Sequence, residues 1–286
     1  MNKCFFVSDL HGKMSRYENL IRKIRVDKPD FVFLGSDLLP HKSIEGRIGF
    51  EKIDDFGTDF ILKKFRKMKE QMDCTYPDIY LIPGNDDRKD LLSALPEGEA
   101  DGLWTNLNMK CRVIGKYRFY GYAFVPPTPF LLKDWEKYDV SRYVDPGCIS
   151  PMEGKRTAPP HGDPEWDTIS KDLEALTGTD DMSHSVFLFH SPPYKCQLDR
   201  ADLDGKTFDH VPLDVNVGSI AIQRFIEEKQ PYITLHGHVH ESTRLTGNWQ
   251  EKFGRTYAFN AAHDGPELSL IVFELHNPQW AERFLI

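Results

Sequence analysis

Between Cys4 and Ile82 the sequence alternates short apolar runs with longer amphipathic stretches, and this alternation restricts the fold more than any other feature. Cys4 to Ser8, Phe31 to Leu34 and Ile79 to Ile82 are rich in Phe, Val, Ile and Tyr, the composition of buried strands. Met14, Tyr17, Leu20, Ile21 and Ile24 recur at spacings of three and four, which marks one buried face of a helix that Pro29 closes. Ile53, Phe56, Phe60, Phe65, Met68 and Met72 outline a second, longer helix. A βαβαβ start of this kind predicts a parallel sheet with helices packed on it.

Phe119 to Ala123 reads as another strand, after which the texture changes. Eight of the 19 prolines fall between Pro126 and Pro164, mixed with Phe130, Trp135, Tyr138 and Tyr143. Regular structure is not expected there, and the aromatics make an insertion at about 124–165 read as a functional loop or lid rather than a linker. Trp135 and Tyr143 are candidates either to stack on a nucleoside or to anchor the loop. Regularity resumes with a helix near Trp166 to Leu176, a strand at Val186 to Phe189, a helix near Ile220 to Glu228 and a strand at Tyr232 to Leu235. Thr256 to Phe259 and Leu268 to Glu274 add two strands, so residues 1–286 read as a single α/β domain.

The 44 acidic and 36 basic residues leave a net charge of −8, which argues against a chain that clamps nucleic acid by counterion release. It leaves room for a small anionic substrate held through metal. No apolar run approaches the about 18 residues of a membrane helix. The stretch from Met1 to Asp9 is too short and too acidic for a secretory signal, so the expected location is cytoplasmic. Cys4, Cys74, Cys111, Cys148 and Cys196 are scattered, with no Cys-x-x-Cys pair, and read as reduced thiols. The sequence does not set the oligomeric state.

Five of the proposed strands run into residues that bind metals well. The first leads to Asp9-Leu10-His11, the second to Gly35-Ser36-Asp37, the third to Gly84-Asn85-Asp86-Asp87, and later ones to His190 and to Gly237-His238-Val239-His240. Residues at strand carboxyl ends share one edge of a sheet, where open α/β folds build their sites. An x-separated pair on a bent strand end can aim both side chains at one point. Oxygen and imidazole donors without thiolate suit Mn, Fe, Zn, Co or Ni rather than a structural zinc; among these the donor set makes no choice, and Mn is taken as the working metal. Seven donors exceed one ion's coordination; with one bridging carboxylate they divide into two sets of four, the composition of a two-metal hydrolytic site.

In this order the blocks resemble those of the calcineurin-like metallophosphoesterases: Asp-x-His, Gly-Asp, Gly-Asn-His-Asp or Glu, His, and Gly-His-x-His. The resemblance spans Asp9 to His240. It implies a four-layer α-β-β-α sandwich with two mixed sheets. It also implies one metal on Asp9, His11 and His240, a second on Asn85, His190 and His238, and Asp37 as the bridge. The implied activity is a phosphoric ester hydrolase in which a metal-bridging hydroxide attacks phosphorus in line.

The chain departs from the family at two places. Ser36 stands before the bridging acid where glycine is usual, a minor change. Asp86 replaces the histidine thought to protonate the leaving group, and beside two cations its pKa should fall rather than rise. Asp86 holds the position of the catalytic acid but is a poorer proton donor there, which tilts the expected substrate towards a small or nucleotide-like phosphodiester; the alternatives are a phosphomonoesterase or protein phosphatase, or a non-catalytic scaffold on the same fold. Arg88 is a candidate for contact with substrate phosphate. His236 alternates away from His238 and is expected in the core or behind the ligands. His41, His161, His184, His210 and His263 have no partner in the sequence and read as structural or surface residues. Asn260 matches no family motif well enough to take a role.

Overall fold

The computed structural model describes residues 2–41, 46–48 and 51–286, with only the main chain described for 46–48 and 51–53. In chain order it has β1 (Lys3–Val7), α1 (Met14–Asp27), β2 (Phe31–Leu34), β3 (Gly46–Ile48), β4 (Glu51–Ile53), α2 (Lys63–Met72), β5 (Asp78–Leu81), α3 (Ala94–Ala100), β6 (Thr105–Asn106), β7 (Lys110–Ile114) and β8 (Tyr117–Tyr122). After the proline-rich stretch come α4 (Ile169–Thr177), β9 (Ser185–Phe189), β10 (Thr207–Phe208), β11 (Val211–Pro212), α5 (Ile220–Lys229) and β12 (Ile233–His236). The chain closes with α6 (Ser242–Thr246), β13 (Gln250–Phe253), β14 (Thr256–Asn260), β15 (Ser269–Glu274) and β16 (Glu282–Leu285).

Two six-stranded mixed sheets carry the fold, ordered β16-β15-β1-β2-β5-β6 and β13-β14-β12-β9-β8-β7. In the first, β1, β2, β5 and β6 run parallel and β15 returns antiparallel to β1. In the second, β8, β9, β12 and β14 are parallel, with β7 and β13 antiparallel at the edges.

Strand alternation explains why the apolar runs are continuous. Cys4, Phe6, Phe31 and Phe33 face the second sheet, while Phe5, Val7, Val32 and Leu34 face α1 and α2. Phe119 of β8 inserts among Phe31, Phe33 and Tyr80, with ring centroids 5.3, 5.3 and 5.2 Å away in edge-to-face geometry. α4 and α5 cover the outer face of the second sheet through Leu173, Ile222, Phe225 and Ile226. The four layers are those expected from the sequence.

Several element boundaries differ from the sequence reading. Ile53 lies in β4, not in the second helix; the Asp55 carboxylate accepts the Thr58 N–H at 3.2 Å and starts the helical path at Phe56, which runs as a wide turn over Gly57–Leu62 into α2. The helix expected near Trp166 begins at Ile169, because the Thr168 hydroxyl accepts the Lys171 N–H and caps it there, leaving Trp166 exposed.

The 124–165 segment is largely irregular, as expected, but it is braced by buried polar contacts. Lys133 and Glu136 form a fully buried ion pair. Asp139 accepts from the Ser219 hydroxyl at 2.5 Å and the Ile220 N–H at 2.6 Å at the start of α5. Trp135 anchors the segment: its indole N–H donates to the Asp87 carbonyl at 2.6 Å.

Candidate metal centre

The sequence-predicted ligands arrive from both sheets. Asp9 and His11 follow β1, Asp37 follows β2 and Asn85 follows β5, all in the first sheet; His190 follows β9, and His238 and His240 follow β12, in the second. Their donor atoms meet where the carboxyl ends of the two sheets adjoin.

Asp9, His11, Asp37 and His240 each offer a ligand atom within 4.8 Å of the others. The Nε2 atoms of His11 and His240 face each other at 2.9 Å, and His240 Nε2 is 3.3 Å from Asp9 Oδ1. On the other side, His190 Nε2 lies 2.7 Å from Asn85 Oδ1 and 3.3 Å from Asp37 Oδ2, and the His190 and His238 rings meet edge-to-face at 4.8 Å. Asp37 Oδ2 also lies 3.9 Å from His11 Nε2, so one carboxylate addresses both groups.

The backbone is bent to achieve this. Asp9, His11, Asp37 and His238 have φ values of 55°, 47°, 46° and 72°, and Ser36 has 152°. Non-glycine residues adopt such conformations rarely, and their concentration here is a mark of a functional constraint. The flanking glycines make the space: a Cβ on Gly84 would stand 2.1 Å from Asp37 Oδ1, and one on Gly237 would stand 2.4 Å from Asp9 Oδ2.

Second contacts fix these side chains. The Ser36 hydroxyl holds His190 Nδ1, leaving Nε2 to face the centre, so the residue that replaces glycine orients a candidate ligand. The Asp86 N–H donates to Asp37 Oδ1 at 2.9 Å, and the His238 N–H donates to Asp9 at 3.1 Å. Buried Asp87 accepts from the N–H groups of Gly84, Leu38 and Leu39 at 2.9, 3.0 and 2.7 Å, tying the β2 and β5 loops together.

The electrostatics suit a cation. Burial opposes ionisation of Asp9, yet the hydrogen bond and charge of His240 hold its carboxyl far below the usual range. Burial also works against protonated His240, but Asp9 lifts it to about 9. Burial and neighbouring His190 press His238 down to about 3, and burial takes His11 to about 4. Two imidazole nitrogens facing each other amid carboxylates are the arrangement that a shared cation satisfies. The oxygen and nitrogen donor set therefore fits divalent metal.

His41, expected to be structural or at the surface, is exposed at the rim of this site. Its ring stacks on His11 with centroids 4.4 Å apart, and its Nδ1 is 3.0 Å from Asp86 Oδ2. The same oxygen lies 3.7 Å from His11 Nδ1, a buried nitrogen with no hydrogen-bond partner. Burial and then Asp37 push Asp86 up to about 6, against the pull of His41; without cations the shift is opposite to that expected beside them. The signal for His41 was its position four residues after Asp37 on the same loop.

Arg88 is not gathered into the centre; it forms a two-pronged pair with Asp90 at 3.0 and 2.6 Å. His236 is fully buried, with Nδ1 on the Ser191 carbonyl at 2.9 Å and Nε2 on Thr234 at 2.8 Å. Asn260 supports the loops behind the ligands through Leu198, Ser242 and Ala262.

The fold and centre define a metal-dependent phosphoric ester hydrolase. The sequence profile of the calcineurin-like phosphoesterases matches residues 3–242, and the chain belongs to that family. A search of curated proteins finds no match. Among solved structures, the chain is similar to TT1561 of Thermus thermophilus, with 16% identity, a TM-score of 0.59, and 99% of this chain and 98% of that one covered. It is also similar to a dimetal phosphatase from Danio rerio, with 11% identity, a TM-score of 0.50, and 94% and 91% covered. At these identities the likeness concerns the fold.

Proposed function

We propose that residues 1–286 form one dinuclear-metal phosphodiesterase acting on a small or nucleotide-like phosphodiester. The observation that carries this reading is the position of Asp37, whose Oδ2 lies within 3.3 Å of His190 Nε2 and 3.9 Å of His11 Nε2, between two clusters of donors. Asp9, His11 and His240 would hold one cation and Asn85, His190 and His238 the second, with Mn the favoured metal. When bound, the cations supply the charge that activates water and neutralises the phosphoryl oxygens.

The chain's own residues orient and exclude. Ser36 presents His190 Nε2, and the Gly84 and Gly237 turns let the two carboxylates approach without a side chain in the way. Asp86, in the place of the family's leaving-group acid, has His41 on its Oδ2. In this reading Asp86 serves diesters, whose leaving groups need less help with a proton. Asp86→His then improves turnover of esters with poor leaving groups; lower turnover on every ester would mean that Asp86 already assists the reaction.

The reading includes a cytoplasmic location, supported by five free cysteines. Among the described residues no helix is long and apolar enough to cross a membrane. The deciding assay strips the protein with chelator, adds manganese, and compares bis-p-nitrophenyl phosphate with p-nitrophenyl phosphate. Metal-dependent turnover dominated by the diester supports the proposal. Turnover dominated by the monoester favours a phosphomonoesterase, and none with any metal favours a scaffold.

A further inference from the structure

The proline-rich segment and the stretch after His190 enclose a second feature that the metal centre does not use. Between them lies a cavity of about 360 Å³, walled by prolines and by apolar and aromatic side chains that include Tyr143, Phe208 and Leu213. Apolar clefts with a few convergent polar groups are where small molecules bind.

The charged groups in it are of one sign. Asp139, Asp145 and Asp214 line the cavity, Asp139 already engaged at the start of α5, and no Lys, Arg or His does among the described residues. Asp214 accepts from the Tyr194 hydroxyl at 2.6 Å and the Asn216 N–H at 2.8 Å, neither a cation. The Asp145 side chain is exposed and has no hydrogen bond or ion pair with any described residue, and Asp214 is exposed as well. Neither carboxylate is neutralised by a basic side chain lining the cavity, so both can face a cation held there.

Neighbouring groups register the same field. Burial, and then Asp214, raise the Asp145 carboxyl; the hydrogen bond to Asp214 and burial push Tyr194 up to about 12; burial and then Asp145 push Cys148 up to about 11. Each shift reports excess negative charge on top of desolvation.

We propose that this cavity binds an organic ammonium cation, with its charged centre against Asp145 and Asp214 and its hydrocarbon against Phe208, Leu213 and the proline wall. Aromatic faces and carboxylates together recognise such cations, and the absence of basic side chains turns away the phosphate itself. The segments that form the cavity leave the carboxyl ends of β8 and β9, the edge that also carries His190. Resting on the phosphodiesterase reading, the cavity would seat an amine-bearing alcohol of the diester; the binding itself does not depend on that reading.

The test titrates the manganese-loaded full chain with choline and with its uncharged isostere 3,3-dimethylbutan-1-ol, by calorimetry or saturation-transfer NMR. The expected result is saturable choline binding about tenfold tighter than the isostere, lost in an Asp145→Asn/Asp214→Asn double variant that keeps its melting temperature. Equal binding of the two probes, no saturable binding, or unchanged choline affinity in a folded double variant would overturn the proposal. If the double variant does not fold, Phe208→Ala, at a half-exposed wall position, takes its place and must weaken choline binding. Turnover of bis-p-nitrophenyl phosphate, measured alongside, separates failure of this inference from failure of the phosphodiesterase reading.

Discussion

Asp37 and His238 stand at the centre of the proposed ligand set, one between the two donor clusters and the other against His190. Asp37→Asn or His238→Ala is expected to abolish metal-dependent hydrolysis while the near-ultraviolet circular dichroism stays native; retained activity in either would remove that residue from the centre. The glycines beside the carboxylates are equally constrained. Gly84→Ala forces a methyl group to 2.1 Å from Asp37 Oδ1, so metal affinity measured by competition with a chelating dye should fall about 10- to 100-fold. His236 gives a pH signature. Burial lowers it to about 4 from an ordinary value of 6.5. The unfolded chain takes up the proton first, so stability present above pH 6.5 is lost as pH falls towards 4. The metal-free protein should lose about 1.4 kcal/mol per pH unit from this group in that window, and His236→Phe should flatten the slope in urea titrations at stepped pH.

Elements differ in how plainly the sequence declares them. β1, β2, β5, β9 and β12 were legible because both faces are buried and their apolar runs are unbroken. β7 and β16 were missed: they are edge strands whose residues are mostly exposed, so solvent accepts polar side chains on both faces and no alternation survives. The two-residue strands β6, β10 and β11 are too short to carry a period. The blocks that meet at the candidate centre were readable because metal chemistry admits few residue types and each block is local. His41 was not, since the contacts that bring it to Asp86 and His11 exist only once the loops have folded. The aromatic insertion was legible as a special segment, while its buried ion pair and its anchor were not. Trp135→Phe removes the N–H that satisfies the Asp87 carbonyl, which should cost about 1–2 kcal/mol and speed tryptic cleavage within 124–165.

At the scale of the molecule, the centre joins two sheets that otherwise meet through a layer of aromatic packing. Cations bound there act on the folded state alone, so thermal stability should rise with metal: manganese at a hundred times its dissociation constant adds about 2.7 kcal/mol per site. A melting temperature that ignores metal would argue against the assigned ligands. The acidic surface belongs to the same scale. A net charge of −8 raises the local concentration of divalent and organic cations and repels polyanions, in keeping with a small substrate.

The donors are also far apart in sequence: Asp9 and His240, whose atoms lie 3.3 Å apart, are separated by 231 residues. During synthesis the chain exposes Asp9, His11, Asp37 and Asn85 long before the histidines of the second sheet exist. The proposed ligand set is therefore complete only once translation has passed His240.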